Sequence, residues 1–434
     1  MDRISELPRD ILQQILNFLS QKEAVRISVL SKSWRYNWCI RTNLDLSYNN
    51  FRGNKLQFLS VVDNILRRQH DERLSLSEFH LSISQVYPDH TSVFYLKKWV
   101  PLLTVIGVKK FRLSVYMSHT HHAYRKPPLK LPPVVFGAES LQDLHLENFE
   151  FDRKTIERIL PWKHLRSLCL QKVYIEDEIL QKIILGSPLL ETLNVQGDCR
   201  RVGTVNLNHL HNLKYLSLQL CEREVDQYCS FEIHPPSLET IELRYSNISY
   251  HTGDDFRNLH SLFISNVRPS SLDRLSSTIF PSTSSKWKSE IYLVYQGSSW
   301  LLKLNELLNS LSHSEISLAV DQYCRINGNV MVRENVHNRP IVESLRMGSD
   351  LVIVMFFICR PRNIYGYKIK SARLWKFLME RESGNEDELF RGLEEVSIET
   401  RVDIREGWRP STSLDFKLPG LEFRLALKWR NTPL

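Results

Sequence analysis

The twenty residues "EDEILQKIILGSPLLETLNV", positions 176–195, decide how the chain folds. Ile179, Leu180, Ile183 and Ile184 recur at helical spacing, and Gly186 and Pro188 stop the helix that this spacing predicts. The period then changes. In "LETLNV" the apolar Leu193 and Val195 alternate with polar neighbours, as in a short strand with one buried face. A unit this small has an apolar helix stripe and an apolar strand face and no room to bury both, so it must stack on copies of itself.

The copies lie on both sides. "LQDLHL" begins at Leu141, "LRSLCL" at Leu165, "LETLNV" at Leu190, "LKYLSL" at Leu213, "LETIEL" at Leu238 and "LHSLFI" at Leu259. Their starts are 24, 25, 23, 25 and 21 residues apart, within the leucine-rich-repeat range. Looser copies, "LSEFHL" at Leu76 and "VKKFRL" at Val108, extend the array toward the N-terminus. On the other side "SEIYLVY" and "SEISLAV" flank the helical "WLLKLNELLNSL", with Ile291 and Ile316 25 residues apart. The asparagine that closes the strand in regular repeats is nearly absent, Asn148 and Asn266 being the near candidates, so the array is expected to be irregular. Further strands are expected at 351–358, 396–398 and 423–427 and a helix around 372–382. This last part either continues the solenoid or forms an α/β cap. "RPSSLDRLSSTIFPSTSSKW", rich in serine and proline, is the most linker-like segment.

The N-terminal stretch "LPRDILQQILNFLSQKEAVRISVLSKSWRYNW", positions 7–38, has a different grammar. Pro8 suits a first helical turn, and Ile11, Leu12, Ile15, Leu16 and Leu19 follow at helical spacing. Ser20 and Glu23 have the spacing of a capping box ahead of Ala24, Val25, Ile27 and Leu30, and Ser31 can cap a third helix bearing Trp34 and Trp38. Three helices this short bury too little surface to stand alone. With no metal or disulfide signal, their surplus apolar surface points to a partner.

This stretch resembles an F-box: Leu-Pro, two aliphatic pairs, a polar turn, an apolar run and Ser-Lys-x-Trp are met by Leu7, Pro8, Ile11, Leu12, Ile15, Leu16, Leu30, Ser31, Lys32 and Trp34. With the repeats behind it, the chain resembles the plant F-box/leucine-rich-repeat proteins. The resemblance implies that Leu7, Pro8, Ile11, Leu12, Ile15, Leu16, Val25, Leu30, Ser31 and Trp34 pack on a Skp-type adaptor, and through it reach a cullin scaffold and RING subunit. The fold expected is α/β: a three-helix F-box over 1–50, a connecting helical segment over 51–74, a horseshoe solenoid of short parallel strands and helices over 75–320, and its continuation or cap over 321–434.

Composition narrows the remaining classes. The 434 residues carry a net charge of +8, but Lys and Arg are dispersed rather than gathered, so nucleic acid is not an expected partner. Seven cysteines without a CxxC pair fit reduced thiols in the nucleus or cytoplasm. The N-terminus places charges where a signal peptide has its apolar segment, so secretion is not expected. The apolar run "LVIVMFFIC", residues 351–359, falls short of the roughly 20 residues that span a bilayer, so no membrane is expected either. No GxSxG, HExxH, phosphate-loop or zinc-type spacing occurs, and neither metal nor cofactor is expected. His119, His121 and His122 sit beside a proline-rich stretch and read as a solvated loop.

In each LxxLxL strand the residues between the leucines face outward, toward the usual partner surface of such arrays. They place Asp143, Glu147 and Glu242 against Arg244, with Tyr215 and Phe263 as large contacts, and these six are the candidate substrate residues. With the looser strands added the face counts as acidic to neutral, which implies a protein substrate of polar or basic character. The function expected is a non-catalytic substrate receptor of a ubiquitin ligase. The competing reading is an interaction scaffold or nucleic-acid-binding repeat protein with a vestigial F-box.

Overall fold

A computed structural model describes residues 7–19, 21–27, 41–85, 90–117, 129–151, 162–200, 204–221, 230–233, 236–244, 249–252, 258–265, 288–294, 298–312, 314–321, 339–347, 355–356, 358–366, 390, 392–401, 407–411 and 422–430. The chain divides into two units, Met1–Pro235 and Pro236–Leu434, and the boundary falls inside the run of leucine phrases.

The first unit begins with helices α1 (Arg9–Phe18) and α2 (Gln21–Ile27). Pro8 starts α1 by accepting the amides of Ile11 and Leu12 at 3.0 and 3.1 Å. The third expected helix, with Leu30, Ser31 and Trp34, lies outside the described residues. Seven parallel strands follow: β1 (Asn43–Ser47), β2 (Glu78–Gln85), β3 (Lys110–Met117), β4 (Asp143–Glu147), β5 (Ser167–Glu176), β6 (Thr192–Arg200) and β7 (Tyr215–Cys221). Each pairs with the next, in register at the leucine phrase, so that Leu144, Leu168, Leu193 and Leu216 form one row. Those leucines are all fully buried, as the alternation predicts.

Helices α3 (Lys55–Asp71), α4 (His90–Ile106) and α5 (Asp177–Leu185) connect successive strands. A parallel pair needs such a crossover, because its strands run the same way. In α5 the expected Ile179, Leu180, Ile183 and Ile184 are the buried stripe. Asn54 and Gln57 form a capping box at the start of α3.

Past the leucine phrases of β4, β5 and β6 the chain turns a corner into a second, short run of parallel pairing. Residues 129–130 pair with 149–150, Glu150 with Tyr174, and Val173 with Gly197. The corner takes left-handed backbone at Asn148 (φ 67°) and Lys172 (φ 51°), a region that asparagine enters more cheaply than most residues. Asn148 also spans the corner, its buried Nδ2 donating to the Val115 carbonyl at 2.9 Å. At the equivalent point of β6 only glycine fits, because a Cβ on Gly197 would lie 2.0 Å from the Val173 carbonyl oxygen.

The second unit repeats the parallel stacking with β8 (Thr240–Arg244), β9 (Ser261–Ser265), β10 (Lys288–Val294), β11 (Glu315–Asp321), β12 (Ile341–Met347) and β13 (Arg360–Gly366). Helix α6 (Ser298–Ser310) covers "WLLKLNELLNSL" and joins β10 to β11. The sheet then changes sense: β13 pairs antiparallel with the last strand, β16 (Glu422–Trp429), β16 with β14 (Leu393–Arg401), and β14 with β15 (Arg409–Ser411).

The strand expected over 351–358 is corrected. Met355 and Phe356 are helical, and the strand starts only at Arg360. Met355, Phe356, Ile358 and Cys359 are all buried, and an apolar run with no exposed face has no period by which to tell strand from helix. The helix expected around 372–382, the serine-rich linker over 268–287, Asn266 and the three histidines lie outside the described residues.

Candidate functional site

Two surfaces are candidates. The first is the helical pair at the N-terminus. Leu12, Leu16 and Ala24 are its buried centre, with Ile15, Leu19 and Ile27 packed against them. Leu7, Pro8 and Ile11 lie exposed, as does Phe18, which is 90% exposed. The ten expected adaptor residues therefore divide by position: Leu12 and Leu16 hold the two helices together, Ile15 is half-buried at their margin, and Leu7, Pro8 and Ile11 present apolar surface outward. The orientation of Val25 is not described. Phe18 was not among the expected residues, although its place seven positions after Ile11 on one helix stripe marks it.

Arg41, only 3% exposed, ties this pair to the sheet. Its Nη2 donates to the Leu19 carbonyl just past α1 at 3.0 Å, and its Nε to Asn43 Oδ1 in β1 at 3.1 Å. Burial pulls its pKa below the ordinary arginine value. Carbonyls at helix ends lack partners within the helix, and this guanidinium supplies one.

The second surface is the outward face of the strands. Asp143, Glu147 and Tyr215 stand on it in the first unit and Glu242, Arg244 and Phe263 in the second, each half-buried. Adjacent strands put Glu147 Oε1 2.7 Å from Lys172 Nζ and Glu78 Oε1 2.7 Å from Lys110 Nζ. Within β8, Glu242 lies 3.2 Å from Arg244 two residues on. Arg244 also rests 4.4 Å above the Phe263 ring. Glu78, and more weakly Asp143, raise the Lys110 pKa against its partial burial.

Of the three candidate acids, Glu147 and Glu242 are thus engaged in pairs, and Lys172, which the pattern omits, is the partner of Glu147. The missing signal was the corner at Asn148 and Lys172, which brings an off-pattern lysine back to the strand face.

Between these pairs lies a quieter row. His145, next to Arg112 in the register, has 9% exposure, and its Nδ1 is 3.5 Å from Arg112 Nη2. Burial, helped by the Arg112 charge, pulls its pKa down to about 4. Burial also pushes the Cys169 thiol beside it up to about 11 and the Cys359 thiol in the second unit up to about 12, so both stay protonated and weakly nucleophilic near neutrality. Among the described residues no group of three or more His, Cys, Asp or Glu is placed to hold a metal ion, and no helix is long and apolar enough to cross a membrane.

Comparisons with known proteins match both surfaces. Residues 4–42 match the family described as F-box domain, and residues 96–254 the one described as FBD-associated F-box protein At5g56370, LRR repeats. The chain is 30% identical over 249 residues to the F-box/FBD/LRR-repeat protein At5g56420 of Arabidopsis thaliana, covering 56% of this chain and 55% of the relative. It is 29% identical over 203 residues to F-box/FBD/LRR-repeat protein At1g13570 of the same plant, covering 45% and 44%. It is 28% identical over 261 residues to FBD-associated F-box protein At4g10400, also of Arabidopsis, covering 58% of each. The chain spans about half the length of the curated relatives it matches.

Proposed function

We propose that this chain, a member of the plant F-box/leucine-rich-repeat family, is a substrate receptor of a cullin-based ubiquitin ligase. The F-box, folded as three helices, docks on a Skp-type adaptor. The adaptor links it to the cullin scaffold and RING subunit, and the strand faces of a curved repeat array hold a protein substrate. The chain contributes no bond-making step. Its part is proximity, which turns transfer of ubiquitin from a charged conjugating enzyme into an effectively intramolecular event. The complex works in the nucleus or cytoplasm.

The observation that carries this reading is the exposed set Leu7, Pro8, Ile11 and Phe18 on a helical pair whose own core is already filled by Leu12, Leu16 and Ala24. Apolar surface left over after a core is complete marks a docking face. Co-expression with a Skp-type adaptor tests it: wild-type chain should co-purify with adaptor, and the Leu7→Ala/Pro8→Ala pair should lose it while the repeats stay folded. Undiminished co-purification by the pair would overturn the reading.

A further inference from the structure

We propose that Arg41 is a positioning residue: it sets the direction in which the N-terminal helical pair faces relative to the parallel strands, and so which lysines a ligase built on that pair can reach. Its backbone belongs to the sheet. The carbonyl of Thr42, the next residue, accepts the amides of Ser77 and Glu78 at 2.7 and 3.0 Å, and Asn43 pairs with Glu78 at the start of β1 and β2. Its side chain belongs to the helices. Nη2 reaches back 22 positions to the Leu19 carbonyl, and the Leu19 amide donates to the Leu16 carbonyl of α1 at 3.2 Å. One residue thus joins the start of β2 to the end of α1 by a short line of hydrogen bonds.

The manner of the joint argues for geometry rather than adhesion. Arg41 is buried, yet among the described residues no carboxylate pairs with it, and its buried Nη1 has no hydrogen-bond partner. Its two bonds go to neutral oxygens, the Leu19 carbonyl and Asn43 Oδ1. A buried charge without a counter-ion is costly, and an apolar side chain of similar length would fill the same space at lower cost. What the apolar side chain cannot supply is direction, because hydrophobic contact has none. The guanidinium is a planar fork whose donors leave at fixed angles, and hydrogen bonds weaken steeply off their axis. Nε on the strand side and Nη2 on the helix side share that plane, so together they define the angle between β1 and α1.

The two ends of this line carry the two candidate surfaces. Leu7, Ile11 and Phe18 stand exposed on and beside the helix whose end Arg41 grips. At the other end β2 begins with Glu78, whose carboxylate stands beside Lys110 on the outward strand face. A ubiquitin-charged enzyme delivered through the adaptor then meets the repeats from one fixed side, which is the condition for a gain from proximity. The reach to lysines rests on the receptor reading, whereas the angle itself is measurable without ubiquitin.

The experiment uses the full chain co-expressed with adaptor. Ketone-bearing amino acids replace Arg26 in α2 and His164 ahead of β5, both exposed, and each is coupled to a nitroxide, which leaves the native cysteines untouched. Double electron–electron resonance should give one narrow distance distribution between the two labels. Arg41→Met should broaden it while adaptor still co-purifies and the thermal unfolding profile is kept. Arg41→Lys, which keeps the charge without the fork, should fall between the two. In the assembled ligase with charged conjugating enzyme, mass spectrometry of the chain's own lysines should find a wider set modified in Arg41→Met than with Arg41 in place. An unchanged distance distribution in Arg41→Met would overturn the proposal, as would the same set of modified lysines despite a broadened one. Loss of adaptor or of helical signal in Arg41→Met would also overturn it, by making Arg41 part of the pair's own fold. A broadened distribution with no ubiquitin transfer by either protein counts against the receptor reading alone.

Discussion

The carboxylate of Asp63 in α3 accepts the indole N–H of Trp99 in α4 at 2.9 Å, although the two residues are 36 positions apart. Lys98 binds the same carboxylate at 2.7 Å and Arg67 at 3.0 Å. Trp99 is fully buried and Asp63 nearly so, so one acid fastens two crossover helices behind the sheet. Burial pushes the Asp63 pKa up, but the bonds from Lys98 and Trp99 and the charges of Lys98 and Arg67 outweigh it and leave the pKa below the ordinary 3.8. A depressed folded-state pKa contributes stability that is whole above the unfolded value and is lost as pH falls through the folded one. Asp63→Ala should therefore cost about 1–3 kcal/mol at neutral pH, because it strands a buried indole donor. Compared with wild type, its urea midpoint should depend less on pH below about 4. Equal midpoints for the two proteins at pH 7 would count against this pivot.

His145 makes a prediction of the same sign at higher pH, between the carboxylate and histidine ranges. Its pKa is pulled from 6.5 to about 4, so between those values the unfolded chain binds a proton that the folded chain refuses. Stability should then fall as pH drops from 6.5 toward 4. The ring resonances should titrate with a midpoint near 4, and His145→Gln should flatten that part of the stability profile. A midpoint near 6.5 would show the ring to be solvated.

The N-terminal pair should separate folding from docking. Leu16→Ala opens a cavity beside Leu12 and Ala24 and should cost about 2–5 kcal/mol locally, seen as lost helical signal and faster proteolysis between the F-box and the repeats. Ile11→Ala with Phe18→Ala removes exposed surface and should leave melting unchanged while weakening adaptor binding about tenfold or more. Equal loss of helix in both proteins would erase the distinction.

The corner at the strand ends should tolerate change unevenly. Gly197→Ala forces a methyl to 2.0 Å from the Val173 carbonyl oxygen and 2.7 Å from its nitrogen, and overpacking of backbone on backbone should cost at least about 1–3 kcal/mol. Asn148→Ala loses a buried hydrogen bond to Val115 and a residue suited to positive φ, for about 1–3 kcal/mol. Lys172→Gly keeps the corner and removes a partner of Glu147, so it should change the surface more than the stability. Unfolding midpoints of the three variants check the order, and a Gly197→Ala protein as stable as wild type would refute it.

The amino-acid sequence by itself determined where most strands fall and which of their residues turn inward. Leu144, Leu168, Leu193 and Leu216 repeat with a spacing that only stacked, alternating strands can bury, and the stripe Ile179, Leu180, Ile183 and Ile184 specifies α5 in the same local way. Periodicity is a property of neighbours along the chain, so it can be read without coordinates. The charge of the outward face is not such a property. Glu147 meets Lys172 and Glu78 meets Lys110 across strands a whole repeat apart, and a left-handed corner at Lys172 delivers the lysine from outside the pattern. The tertiary structure also turned Leu12 and Leu16 inward while leaving Ile11 and Phe18 outside, because two adjacent stripes of one short helix are equally apolar and only the packing of Ala24 selects between them. It also made 355–356 helical and set Tyr365 beside Arg346 and Arg424, since strand order and register, not nearness in sequence, decide which side chains share a surface.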